Sequence, residues 1–421
     1  MRIRLTASAL GIFVLLSILH PASASPPIRA DELRRHVEFL ADPAQEGRGL
    51  GSAGIDTAAA YIARRFHEIG LQPAGPGGSY FQPFEAKTKA GKVGTRNVVG
   101  LLPGNPEGAR PYILLGAHYD HLGYGGDDFR GSERGRIHPG ADDNASGVAG
   151  ILEIAEYFAS ADALDRTLVF VAFSGEELGL LGSAYFVDHP TLPLEQVLAM
   201  LNLDAVGRPD PGTVTLFGTD TAAEFDSLLL LGNEKNLKLK TEGDGIGPSD
   251  HTSFALKGIP VLHFFGAAHM DYHRPTDTPE KLHYPDMEQL VRFTARMVEI
   301  LDSVPDSLTF HEPPAHARPS AHGGKGAHLG IVPDFGGSDS GMAIRGVRSD
   351  SPADRAGLQA GDVIVRLGEA EIRNIEDLFG ALSAHSPGDT VEIAVLRESE
   401  RLSLRAVLGG RAPHPTHETP E

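Results

Sequence analysis

The sequence contains no cysteine among its 421 residues. Disulfide bonds, a thiol nucleophile and cysteine-ligated metal sites are therefore excluded. Basic residues are also in deficit, since 37 Lys and Arg stand against 56 Asp and Glu and give a formal net charge of −19. No Lys- or Arg-rich block occurs that could neutralise phosphates, so the composition predicts no nucleic-acid partner.

Long hydrophobic runs are lacking except at the N-terminus. Arg2 and Arg4 precede an apolar stretch over residues 10–19, and Ala22-Ser23-Ala24 offers small residues for cleavage. This pattern is typical of a secretory signal over residues 1–24. The stretch is shorter than the roughly 20 residues that span a bilayer. We therefore expect an exported protein, periplasmic or extracellular, with no membrane span after signal cleavage.

The remaining chain changes character once. Hydrophobic residues make up 41% of the sequence, which is ample for more than one core. Residues 305–326 contain Pro-Pro and Gly-Gly pairs and almost no apolar periodicity, as expected of an exposed linker. We therefore predict a large domain over residues 25–304, a small domain over 327–408, and a disordered tail over 409–421.

Short apolar runs in the large domain have the length of buried strands. They cover residues 112–117, 167–173 and 197–203, and each leads into a polar cluster. Continuous apolar strands are buried on both faces, and segments 146–159 and 285–301 have the pattern of covering helices. The sequence thus predicts an α/β sandwich with a ligand site at the carboxyl ends of the strands.

The polar clusters share one kind of chemistry, because they combine histidine with carboxylates in compact, mostly glycine-flanked loops. Imidazole nitrogen and carboxylate oxygen together are ligands of catalytic zinc, whereas carboxylates and carbonyls alone favour calcium or magnesium. Two histidines with three or more carboxylates are sufficient for two metals. The clusters are His118-Tyr119-Asp120, Asp142-Asp143, Glu176-Glu177, Asp204 and Tyr272-His273.

Several motifs in the same order resemble a known family. The strings GAHYDHLG, HPGADDNASG, FSGEELGLLGS, NLDAVG, SDHTSF and YHRPTDTPEKL are similar to those of secreted di-zinc aminopeptidases, whose superfamily also holds glutamate carboxypeptidases and glutaminyl cyclases. EGRGLGSAG resembles the usual opening of the family. The resemblance covers about residues 30–300. It implies a mixed central sheet sandwiched by helices, the zinc exopeptidase fold.

The same resemblance implies a cofactor of two Zn²⁺ ions and a set of ligands. Asp142 would bridge the two ions. His118 and Asp204 would complete one site, and Glu177 and His273 would complete the other.

Three further residues take roles from the resemblance. Glu176 matches the general base, and Tyr272 matches the tyrosine that donates a hydrogen bond to the tetrahedral oxyanion. Asp120 would orient His118. The family also implies a cis peptide bond between Asp142 and Asp143.

The other polar residues near these motifs receive plainer interpretations. His121, His138, His263 and His269 are interpreted as loop or core residues. Asp250 resembles a recurrent residue that lines the cleft or supports a ligand.

The small domain resembles a PDZ domain of the kind associated with bacterial proteases, through the string SPADRAGLQAGDVI over residues 351–364. Such domains are built of short strands and two helices. They bind C-terminal peptides by strand addition, with backbone N–H groups near residues 328–331 capturing the carboxylate. The alternative is a packing module without a ligand.

The function implied is a zinc-dependent aminopeptidase that hydrolyses N-terminal residues from peptides, with a PDZ domain for peptide binding or regulation. Two alternatives remain. One is a glutaminyl cyclase or carboxypeptidase of the same superfamily. The other is a non-catalytic peptide-binding adaptor.

Overall fold

The computed structural model describes residues 28–88, 91–105, 110–125, 133–160, 164–243, 245–311, 327–333, 341–347, 351–373, 375–398 and 400–409. The predicted signal segment, residues 312–326 of the predicted linker and the predicted tail from residue 410 lie outside them. Within the described ranges, no helix combines the length and the apolar character needed to cross a lipid bilayer. The described residues form two β-sheets, each with its own hydrophobic core.

The first sheet is mixed. Its described strands run in the order β1-β3-β5-β4-β6-β9-β7-β8, and β2 pairs with β3. The central neighbours β5, β4, β6 and β9 are parallel, whereas β3 joins β5 and β7 joins β9 in antiparallel fashion. The strands are β1 (Gln72–Pro73), β2 (Phe81–Thr88), β3 (Gly91–Leu102), β4 (Tyr112–His118), β5 (Leu168–Phe173), β6 (Val197–Asp204), β7 (Thr213–Phe217), β8 (Lys238–Glu242) and β9 (Val261–Phe265).

Helices cover both faces of this sheet. Along β4, Ile113 and Leu115 belong to one core while Leu114 belongs to a second core on the opposite face. The predicted mixed sheet between helices is thereby confirmed. The helices are α1 (Ala30–Leu40), α2 (Ala53–Ile69), α3 (Gly147–Ala159), α4 (Leu181–Asp188), α5 (Phe225–Gly232), α6 (His251–Ala255) and α7 (Tyr284–Ser303).

The parallel strands bring their polar ends to one edge of the sheet. His118, at the end of β4, is level with Phe173 at the end of β5. Asp204 is the last residue of β6 and is level with Phe265 on β9. Because all four strands run the same way, the loops that follow them meet at one edge, as the sequence predicts.

The first residues of the predicted linker pack against the large domain. Phe310 forms a β-bridge with Ala222, and the Thr309 N–H donates to Glu224. The Arg166 side chain is fully buried and donates to the carbonyls of Val304 and Pro305. This segment therefore packs as part of the large domain, and the expected boundary at residue 304 falls before these contacts. Arg166 also donates to the Leu301 and Pro111 carbonyls, but its Nη2 atom uses the carbonyls of Val304 and Pro305.

This packing predicts how a shortened chain behaves. A chain ending at His311 is expected to keep every contact of this segment, whereas a chain ending at Ser303 lacks the Val304 and Pro305 carbonyls that accept from Arg166. The shorter chain should lose about 1.5–3 kcal/mol of unfolding free energy, which is the usual contribution of a hydrogen bond to a charged group. Urea unfolding of the two chains measures this difference. Equal midpoints and slopes would contradict the assignment of residues 305–311 to the large domain.

The second sheet belongs to the small domain. Its described strands run in the order β10-β11-β12-β14-β15, and β13 pairs with β12. Two described helices accompany them, which agrees with the predicted PDZ arrangement. The elements are β10 (Ile331–Pro333), β11 (Met342–Val347), α8 (Pro352–Ala356), β12 (Val363–Leu367), β13 (Ala370–Glu371), α9 (Ile375–Ser383), β14 (Thr390–Arg397) and β15 (Glu400–Val407).

Candidate metal centre

Side chains from two strand ends, two loops and one helical turn converge at the carboxyl edge of the first sheet. His118 and Asp204 end their strands, Glu177 follows β5, and His273 lies in the loop after β9. Asp143 lies in a π-helical turn over Ala141–Ser146, directly before α3. All five predicted polar clusters therefore contribute to the same site.

One group of donor atoms surrounds His118. Its Nε2 atom is 3.3 Å from Asp143 Oδ1 and 3.4 Å from Asp204 Oδ1. The three donor atoms of this group lie within 4.8 Å of one another. We call His118, Asp143 and Asp204 the first donor set.

A second group uses the other oxygen of Asp143. The Nε2 atom of His273 is 3.2 Å from Asp143 Oδ2 and 3.1 Å from Glu177 Oε2. We call Asp143, Glu177 and His273 the second donor set. Asp143 thus offers one carboxylate oxygen to each set.

The two donor sets fit zinc. Ligands at about 2.1 Å around a tetrahedral ion lie about 3.4 Å apart, close to the separations between donors here. The atoms His118 Nε2, His273 Nε2 and Asp143 Oδ2 are buried and have no hydrogen-bond partner. Buried polar atoms without partners are costly. Their convergence is therefore explained if they are ligands of bound ions.

The structure corrects the predicted role of Asp142. Its Oδ1 accepts the Gly207 N–H at 2.6 Å, and its Oδ2 is 3.0 Å from His269 Nε2. The backbone of Asp143 is non-helical within the turn (φ −107°, ψ 96°), so the two neighbouring carboxylates have different surroundings. It is Asp143 that faces His118 and His273. The cis peptide bond is likewise one residue later than predicted, between Asp143 and Asn144.

Charges within the cluster keep two of its carboxylates ionised. Desolvation opposes the ionisation of Asp143, but the nearby imidazoles of His118 and His273 hold its pKa well below the usual range. Desolvation likewise opposes the ionisation of Glu177, but the charge of His273 lowers its pKa to about 2. Desolvation lowers the pKa of His118, but the charges of Glu176 and Asp204 raise it well above 6.5. Protons and metal ions therefore compete for the imidazoles.

Glu176 lies beside the first donor set without completing it. Its Oε2 atom is 3.9 Å from His118 Nε2, and its side chain is only 11% exposed. Desolvation raises the pKa of Glu176 well above its usual value, and the charges of Glu177 and Asp204 add to this effect. A carboxylate that has a raised proton affinity and lies next to the first donor set is suited to accept a proton.

Asp120 supports the site through both its carbonyl and its carboxylate. The His118 Nδ1 atom is 3.2 Å from the Asp120 carbonyl oxygen, and 3.8 Å from its carboxylate. That carboxylate instead accepts the N–H groups of Glu176 and Glu177. Asp120 therefore orients His118 through its carbonyl and holds the Glu176-Glu177 turn through its side chain.

Tyr272 lies at the open side of the site. Its ring stacks on His273 with centroids 3.8 Å apart, and 46% of the residue is exposed. Desolvation and the charges of Asp143 and Glu177 nevertheless raise the pKa of its hydroxyl well above 10. The hydroxyl therefore stays protonated at neutral pH and can donate a hydrogen bond.

Arg48 holds two of the site loops together. Its guanidinium is fully buried and donates four hydrogen bonds to carbonyl oxygens. The acceptors lie at the end of α1, in the loop after β4 and in the segment before the π-helical turn: Leu40, Tyr119, Pro139 and Gly140. The EGRGLGSAG motif had only suggested a family opening, and the long-range contacts of Arg48 could not be read from it.

Asp277 and Ser249 also position ligands, and sequence reasoning did not identify either. Asp277 Oδ2 accepts the N–H groups of Asp142 and Asp143. Ser249 donates to Asp204 Oδ2 at 2.7 Å. Asp250, next to Ser249, is fully buried, and desolvation raises its pKa to about 7. The only sequence signal for Asp277 and Ser249 was their presence in the PTDTPE and SDHTSF strings.

The four histidines interpreted as loop or core residues differ from one another. His138 bonds the carbonyl of Arg136 and the N–H of Glu133, and His263 stacks on His251, as loop and core residues do. His269 instead faces Asp142. His121 faces Glu177 from inside the site, where the sequence had suggested only packing.

Two family models match parts of this chain. Residues 97–298 match the model of peptidase family M28, and residues 327–408 match that of the PDZ domain. A curated relative, aminopeptidase YwaD of Bacillus subtilis, is 30% identical over 218 residues, which cover 46% of this chain and 42% of that protein. The chain spans 55%, 36% and 34% of the length of three other curated relatives.

Solved structures show the same fold. A Zn-dependent exopeptidase from Parabacteroides distasonis has a TM-score of 0.55 at 20% identity, covering 67% of this chain and 100% of that one. A glutaminyl cyclase from Porphyromonas gingivalis has a TM-score of 0.54 at 20% identity, covering 65% of this chain and 98% of that one. The fold alone therefore does not choose between the two activities.

Proposed function

Because the chain carries a peptidase family M28 domain followed by a PDZ domain, we propose that it is a two-zinc aminopeptidase releasing N-terminal residues from peptides. The observation that carries the proposal is the position of Asp143, whose two oxygens face two separate histidines. Two complete donor sets favour two ions over the single zinc of a cyclase. A non-catalytic adaptor would gain nothing from keeping such a costly buried cluster.

Each donor set would hold one ion, with Asp143 shared between them. Zinc bound there supplies a Lewis acid for the scissile carbonyl and lowers the pKa of the attacking water. His118 and His273 must give up their protons for zinc to bind. The hydrogen bonds of Asp120, Ser249 and Asp277 keep the ligand loops in place, which limits the reorganisation needed on binding.

Glu176 and Tyr272 would handle the proton and the developing charge. The Glu176 carboxylate accepts a proton from the attacking water and passes it to the leaving amine. The Tyr272 hydroxyl donates a hydrogen bond to the oxyanion as it develops on the substrate carbonyl. The exposed face of Tyr272 leaves room for a peptide to approach.

The environment of Arg48 favours an aminopeptidase over a carboxypeptidase, which needs an arginine to clamp the substrate carboxylate. The Arg48 guanidinium is fully buried and donates four of its five N–H groups to backbone carbonyls, so it is not available to clamp a substrate carboxylate. The match to aminopeptidase YwaD supports the same reaction.

The PDZ domain would bind the C-terminal end of a peptide, and the protein would act after export. The N–H of His328 donates to the Gly409 carbonyl, so capture of a carboxylate would use the neighbouring backbone groups instead. A peptide bound there would be concentrated near the zinc site if its free end can reach that site.

Metal analysis with a substrate panel tests the function. We expect two zinc ions per chain, hydrolysis of aminoacyl p-nitroanilides, and no hydrolysis of the matched N-acetylated compounds. A strong chelator should abolish activity, zinc should restore it, and release should be easier at acid pH, because the raised pKa values of His118 and His273 favour protonated imidazoles there. Activity persisting without bound metal would refute the proposal. Cyclisation of N-terminal glutamine without hydrolysis would indicate a cyclase, and zinc binding without turnover would indicate an adaptor.

A further inference from the structure

His121 is a buried histidine inside the metal centre that neither donor set includes, although one of its ring nitrogens lies within 4.8 Å of carboxylate oxygens of Asp143 and Glu177. It is 1% exposed, and its backbone N–H donates to the Arg48 carbonyl. Its ring fills the space beside Gly140, where an added Cβ would come within 2.5 Å of the ring. The backbone of His121 is thus held by Arg48, and its ring packs against Gly140.

The contact of His121 with Glu177 has a definite direction. The Nδ1 atom of His121 is 2.6 Å from Glu177 Oε1. A carboxylate oxygen accepts hydrogen bonds, so this nitrogen carries the hydrogen and donates it. The other oxygen of Glu177, Oε2, is the one that faces His273. The two carboxylate oxygens are therefore engaged by different histidines.

The distances separate the roles of the two histidines. His273 Nε2 is almost equally distant from Asp143 and Glu177, at 3.2 and 3.1 Å, as expected of ligands that share an ion. His121 Nδ1 is 3.8 Å from Asp143, and its short contact is to Glu177 alone. This asymmetry is that of a hydrogen-bond donor to one ligand.

We propose that His121 is a positioning residue, which holds Glu177 Oε1 by a hydrogen bond and thereby presents only Oε2 to the second zinc ion. The inference rests on the proposed two-zinc function. Without this donor, the Glu177 carboxylate is free to rotate or to offer both oxygens, so the second site loses its preorganised geometry. Loss of such an outer hydrogen bond typically weakens metal affinity about 10- to 100-fold.

Two isosteric substitutions in the full chain test this role. The amide nitrogen of Asn lies as many bonds from the backbone as His Nδ1, so Asn can replace the hydrogen-bond donor. Leu is close to Asn in size and shape but has no donor. We expect His121→Leu to weaken the binding of one of the two zinc ions about 10- to 100-fold. His121→Asn should stay within a few-fold of the unsubstituted chain. Equilibrium competition with a chelating zinc indicator measures both affinities without recourse to activity.

A matched control removes another buried histidine that contacts a glutamate. His36 Nε2 is 3.3 Å from Glu153 Oε1, on α1 and α3. His36→Leu should lower stability without changing zinc affinity. Unchanged zinc affinity in His121→Leu would overturn the proposal. So would a loss in His121→Asn as severe as in His273→Ala, since that result would make His121 a ligand. Failure of the unsubstituted chain to bind two zinc ions would instead refute the proposed function.

Discussion

Glu176→Gln is expected to lower kcat by about two to four powers of ten while leaving both zinc ions bound. The amide keeps the size of the side chain but cannot accept a proton. Glu176 lies close to His118 without completing either donor set, so its replacement removes no ligand. The metal content and the unfolding midpoint should therefore remain close to those of the unsubstituted protein.

The measurement is kcat on an aminoacyl p-nitroanilide at saturating substrate, together with zinc per chain. Glu153→Gln is the matched control, because Glu153 is also buried but contacts His36, outside the metal centre. Its kcat should be unchanged. A Glu176→Gln protein with near-normal turnover would remove Glu176 from the role of base.

Asp143→Asn is expected to abolish activity and to reduce bound zinc below one ion per chain at concentrations that saturate the unsubstituted protein. One residue serves both donor sets, so a single substitution weakens both sites at once. The loss of a charged, shared ligand also leaves the two imidazoles with fewer acidic partners. No other single ligand substitution should affect both ions equally.

The neighbouring residue provides the contrast. Asp142→Asn should retain two zinc ions, since the Asp142 carboxylate contacts Gly207 and His269. The effect of Asp142→Asn should appear in stability, because one terminal group of Asn is an NH2 donor, so only one of the contacts with Gly207 and His269 keeps its acceptor. Zinc analysis and urea unfolding of both variants decide the matter. If Asp142→Asn lost both ions while Asp143→Asn kept them, the predicted bridge at Asp142 would be restored.

The sequence determined the fold class and the location of the site. Apolar runs of strand length, each followed by His or carboxylate, predict a buried sheet with polar residues at its carboxyl edge, and β4, β5 and β6 have this form. These features are local, because strand burial and turn chemistry are written in neighbouring residues. The PDZ domain was readable for the same reason, from a helix and turn within one short string.

The tertiary structure decided which atoms face which. Asp142 and Asp143 are identical in chemistry and adjacent in sequence, so only the backbone of the π-helical turn, held by Asp277 from 134 or 135 residues away, separates the residue that faces both histidines from the one that does not. The contacts of Arg48 with Gly140 and of His121 with Glu177 also join segments far apart in sequence, 92 and 56 residues. Composition and spacing specify which donors are available, whereas their directions depend on packing between segments far apart in the chain.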